Sequence, residues 1–259
     1  MRTNREEGLA DKLLEASANG NVADFGLSIA AGAEVDAKDK DGWTVIMLAV
    51  HLGHEACVEL LIAAGADIDA KNDDGKTAVM LAATKNKNGC LRVLIRARAD
   101  LELKDNAGRT GILMAARRGN EACVESLIDA GADLAAKDED GWTAAIMAAV
   151  HGQAGCLRAL IGAGADLEAK NKSGRTAAMM AAIKGQEASM ELLIEAGADH
   201  EAKDEEGRTA AMWATANGHR RLALLIEGIM LSRSEAEQMR QATAGESVDA
   251  KARSRGPRV

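Results

Sequence analysis

Tyrosine is missing from this chain of 259 residues, phenylalanine occurs once, and the single proline is Pro257. With aromatics at 2%, no core can be built around large rings, and no helix in the body is interrupted by proline. Hydrophobic residues still reach 47%, largely as Ala, Leu, Ile and Met, a mixture suited to helices whose backbones stack closely. Long apolar runs are lacking too. None reaches the length that spans a bilayer, and "MRTNREEGLADKLLEA" contains no apolar signal core, so neither membrane insertion nor export is expected. Four cysteines without an export signal predict reduced thiols and a cytoplasmic protein, with the nucleus as the alternative. Basic residues are outnumbered, 32 against 40, and the net charge of −8 disfavours general affinity for nucleic acid.

What the chain has in quantity is repetition. A Gly-x-Thr signature recurs every 33 residues, at Gly42/Thr44, Gly75/Thr77, Gly108/Thr110, Gly141/Thr143, Gly174/Thr176 and Gly207/Thr209. A second glycine keeps the same step at Gly32, Gly65, Gly131, Gly164 and Gly197, each followed by Ala and an acidic residue. Within one unit, Gly42 suits a turn, Thr44 is placed to cap a helix over "VIMLAVHL", and Gly53 ends it. A second helix, "EACVELLIAA", carries Val58, Leu61 and Ile62 at helical spacing and closes at Gly65. One such pair cannot bury its apolar stripes alone, so neighbouring pairs must stack.

The stretch "DKDGWTVIMLAVHLG…LLIAAGAD" and its successors resembles the ankyrin repeat. The resemblance implies an all-α solenoid of stacked helix-turn-helix units with projecting β-turn or hairpin loops. It covers residues 9–227: an N-terminal unit at 9–38, then repeats at about 39–71, 72–104, 105–137, 138–170, 171–203 and 204–227. A polar segment, 1–8, precedes them. Residues 228–259 read as a capping helix, with Ser234 and Glu237 spaced as a capping box, and a disordered basic tail. Trp213 is expected to seal the C-terminal end. The family's Pro and His after the threonine are absent. Its His position holds Met47, Met80, Leu113, Ile146, Met179 and Met212, so apolar packing must replace a hydrogen bond between turns. In the unit at 72–104, Asn86 and Arg98 stand where other units have glycine, so either Arg98 is strained or the helix ends differently.

No catalytic constellation emerges. Cys57, Cys90, Cys123 and Cys156 share one slot, but stacked helices lie about 8–10 Å apart, too far for a disulfide, and a straight ladder cannot converge on one zinc ion. Buried packing is the expectation for them, and no metal or cofactor is expected. His54 and His219 occupy a structural slot. Six copies of a threonine are not a nucleophile.

What remains is surface. By resemblance, partners of such solenoids lie along the concave groove, touching the turn tips and the open side of the first helices. Here that groove presents Trp43, Lys76, Arg109, Trp142, Arg175 and Arg208 beside the threonine caps, and His51, Lys85, Arg117, Arg118, His151 and Lys184 along the helices. Eight of these are basic and none is acidic, whereas the tips carry Asp41, Asp73, Asp74, Glu139, Asp140, Glu205 and Glu206. Arginine forks and tryptophans suit an acidic segment of another protein, and the acidic rim would repel phosphodiester backbones. The expectation is therefore a monomeric, non-enzymatic scaffold or adaptor. A nucleic-acid binder using the groove, or a regulatory piece of a larger protein, is the alternative.

Overall fold

The computed structural model describes residues 12–17 and 19–228; the expectations for residues 1–8 and for the tail beyond 228 lie outside them. Threonine and glycine set the local structure. The Oγ1 of Thr44, Thr77, Thr143, Thr176 and Thr209 accepts a hydrogen bond from the amide three residues on, at 3.3–3.5 Å, starting a helix each time. Gly53, Gly119 and Gly185 take left-handed conformations at helix ends, where a side chain would be strained. Thr110 is the exception among the threonines. Gly111 follows it, the Thr110 side chain makes no capping bond, and its buried Oγ1 has no partner among the described residues.

Each unit therefore holds an inner and an outer helix. Helix α1 (residues 12–17) and α2 (Val22–Ala30) form the first pair. The inner helices that follow are α3 (Val45–Leu52), α5 (Ala78–Thr84), α7 (Gly111–Arg118), α9 (Ala144–Val150), α11 (Ala177–Lys184) and α13 (Ala210–Ala216). The outer ones are α4 (Glu55–Ala63), α6 (Asn88–Arg96), α8 (Glu121–Asp129), α10 (Ala154–Gly162), α12 (Glu187–Glu195) and α14 (residues 220–228). Inner helices pack on inner and outer on outer, so the core is a continuous sheet of side chains between the two rows. All seven residues of α9 are buried, which only an alanine-rich helix allows at such close approach. The lone phenylalanine, Phe25, fills the first unit.

The substitution of methionine for the family's histidine is explained by burial. Met47, Met80, Leu113, Ile146 and Met179 are at most 1% exposed, whereas Met212, in the last of these helices, is 56% exposed. Trp213 does not plug an end as expected. It lies half-buried on the groove side, in the row of Met114, Met147 and Met180, and reaches back to the last tip.

The loops are built on an aspartate or asparagine. The Oδ1 of Asp39, Asn72, Asp105, Asp138, Asn171 and Asp204 accepts from the amides two and four residues on, for Asp105 at 3.0 and 2.8 Å. Each tip is thereby a closed turn. A lysine ladder then stitches unit to unit: Lys38, Lys71, Lys104, Lys137 and Lys170 each donate from Nζ to the backbone carbonyl of the lysine 33 residues further on, at 2.7–3.1 Å. A second series of contacts spans 31 residues, from the amides of Asp67, Asp100, Asp133 and Asp199 to the carboxylates of Asp36, Asp69, Glu102 and Glu168.

The unit at 72–104 keeps the common helix ends at a conformational cost. Asn86 and Arg98 have φ of 55° and 63°, and among the described residues they are the non-glycine residues with positive φ. The Arg98 amide bonds Ile95 as Gly131 bonds Ile128, so the helix ends as in other units and the strain falls on Arg98.

Candidate interaction groove

The tips and the open ends of the inner helices form one face. Trp43, Lys76, Arg109, Trp142, Arg175 and Arg208 stand at the base of the tips and are half-buried. The groove's cations divide into two groups. Lys76 pairs with Asp74 at 2.8 Å. Arg109 grips Asp105 with Nη2 at 2.6 Å and Nε at 2.9 Å. Arg208 pairs with Glu206, and Arg208 and Arg175 approach Asp204 at 3.5 and 3.8 Å. The guanidinium groups of Arg175 and Arg208 also lie over the ring of Trp213, at 4.4 and 3.7 Å from its centroid, while Trp213 Nε1 donates to Asp204 at 2.9 Å. Burial alone would raise the carboxyl pKa of Asp105 and Asp204. Hydrogen bonds from Arg109 to the one, and from the Arg208 amide and Trp213 to the other, hold both below the usual carboxylate range. The sequence shows four tip cations, but the turn geometry spends them on the chain's own carboxylates.

Lys85, Arg117, Arg118 and Lys184 form the second group. They are exposed at the C-terminal ends of α5, α7 and α11 and make no ion pair among the described residues. Cations there also suit the negative end of the helix dipole. His51 packs edge-on against Trp43 at 5.2 Å, and its Nδ1 is buried without a partner among the described residues. Burial, then Lys85 and Lys87, push its pKa down. His151 Nδ1 lies 2.9 Å from the Met147 carbonyl oxygen.

Two depressions open on this face. One, of about 140 Å³, is lined by Lys76, Thr84, Arg109, Met114, Arg117 and Arg118. Its neighbour, of about 410 Å³, lies one unit on and is lined by Trp142, Met147 and His151 together with Glu139 and Asp140.

The cysteines lie elsewhere, between the helix rows. All four are buried and free, and desolvation pushes Cys90, Cys123 and Cys156 up to about 11 and raises Cys57 as well. A neutral thiol of that kind packs as a small hydrophobe. His219 Nε2 lies 3.2 Å from the Ile183 carbonyl oxygen, a link between units, as the sequence suggested. The lysine ladder and the Asp39 series escaped the sequence reading. Their signal was their perfect recurrence, which no local rule converts into a contact.

A stack of helical pairs, with inner helices packed on inner and outer on outer, defines a repeat solenoid. The chain belongs to the ankyrin repeat family: the family model, ankyrin repeats (3 copies), matches residues 13–105, 83–171 and 156–233. It is similar to the solved ankyrin repeat domain of Bcl-3, described as a unique member of the IkappaB protein family, with 28% identity and a TM-score of 0.74 over 83% of this chain and 96% of that one. No curated protein sequence matches it. Ankyrin repeats are a protein–protein interaction module, and among the described residues no helix is long and apolar enough to cross a membrane.

Proposed function

We propose that the chain is a non-enzymatic, monomeric scaffold or adaptor that binds an acidic segment of a partner protein along the groove. The observation that carries this reading is the row of Lys85, Arg117, Arg118 and Lys184, exposed and unpaired among the described residues, beside half-buried Trp43 and Trp142. Guanidinium forks meet carboxylates in two-point contacts, and the tryptophans supply area at low entropic cost. The outer helices lean acidic, so a negatively charged partner is steered to one face.

The test is affinity purification from cells with quantitative mass spectrometry, using the intact chain and a variant with Lys85, Arg117, Arg118 and Lys184 changed to Glu. Partners should be lost from the variant while its helical signal and melting stay unchanged. A control changes Glu125, Asp129, Glu191 and Glu195 on the outer helices to Lys. Equal loss from both variants would show that the groove is not the binding face.

A further inference from the structure

The two depressions differ in size and charge, and that difference defines what each can hold. Their common wall is Arg109 and Arg117. In the smaller one, Lys76 and Arg109 are already matched by Asp74 and Asp105, so two positive charges, on Arg117 and Arg118, are left to face a ligand. A volume of about 140 Å³ lies below the roughly 300–1,000 Å³ of small-molecule sites and admits one functional group rather than a chain. The larger depression is lined by half-buried Trp142 over the buried Met147, with the exposed Glu139 and Asp140 beside them, which favours apolar surface and repels a second anion.

We propose that the Arg117–Arg118 basin takes the phosphoryl group of a phosphorylated segment, with an uncharged apolar side chain about three residues away seated beside Trp142. A phosphoryl group carries about −1.5 to −2 charges and three acceptor oxygens, which matches two free guanidinium forks better than a single carboxylate does. The spacing follows from the stack. The two basins are one unit apart, helices stack about 8–10 Å apart, and an extended segment advances about 3.3 Å per residue. This inference rests on the groove reading above and narrows it from an acidic segment to a phosphorylated one.

The probe is a set of fluorescein-labelled peptides of Ser and Ala carrying phosphoserine, Glu or Ser at one position and Leu one, three or six residues away on either side. Anisotropy titrations use the full chain. Phosphoserine with Leu three residues away should bind at least about tenfold tighter than the Glu or Ser peptide, or than the other spacings. Arg117→Gln with Arg118→Gln should erase the preference for phosphoserine and keep the preference for Leu spacing; Trp142→Ala should do the reverse. Equal binding of the phosphoserine and Glu peptides, indifference to spacing, or no binding at about 1 mM overturns the inference. If partner capture still depends on the groove charges, the adaptor reading survives that failure. Capture insensitive to those charges sinks the adaptor reading itself.

Discussion

Asp105 has a side chain only 1% exposed, held by Arg109 and by two backbone amides. Asparagine fills the same slot at Asn72 and Asn171 and keeps the amide contacts. Asp105→Asn therefore removes the charge and little else. It should cost about 1–2 kcal/mol at neutral pH, since a charged hydrogen bond is lost and its partner is partly solvated. The sign with pH follows from the depressed folded-state pKa: the stabilisation is present above the unfolded carboxyl's value and lost as pH falls through the folded one. Urea midpoints of the two proteins should accordingly differ most above about pH 5 and converge in acid. Arg98 is the complementary case. It is exposed, makes no ion pair among the described residues, and carries a left-handed backbone. At the equivalent Gly65 and Gly131 a Cβ would meet nothing within 4 Å, so the strain is in the backbone and not in crowding. Arg98→Gly should raise stability by about 1 kcal/mol in the same urea assay, whereas a loss would mean that the side chain makes a favourable contact.

At the level of the helical pair, the 31-residue contacts show one gap. The acceptors are Asp36, Asp69, Glu102 and Glu168, and the position between the last two is Ala135, which offers the Asp166 amide no oxygen. Ala135→Glu should supply the missing contact and add about 0.5–1 kcal/mol, measured as a rise in melting temperature. Helix ends and the threonine caps other than Thr110 were legible in the sequence, and so was the choice at Arg98 between strain and a different helix end, because each depends on what a residue's own backbone tolerates. The inter-unit contacts were not. That Lys71 recurs at every step is visible in the sequence; that its ammonium meets the Lys104 carbonyl is fixed only when neighbouring tips are placed side by side. The groove was half legible for the same reason. Arg109 and Arg117 are the same residue type one helix apart, and only the turn around Asp105 shows that the first is already spoken for.

Across the whole stack, stability is approximately a sum over units and their interfaces, so one strained unit weakens the coupling of the two sides. Amides of Lys87–Asp100 should exchange with deuterium faster than their counterparts in Glu121–Asp133, and Arg98→Gly should narrow that difference. Equal rates in the wild type would mean that the strain is absorbed without local opening. The lysine ladder has a further consequence. Each of its bonds joins a residue to the carbonyl of its own counterpart in the next unit, always 33 positions along, so no contact of this kind names a particular neighbour. Remove residues 105–137 and Lys104 would meet Lys170 in place of Lys137, with the same donor, acceptor and spacing. A gene encoding such a chain can gain or lose whole units by unequal crossing-over and still specify a folded product, so the length of the binding face is open to inheritance in steps of one unit.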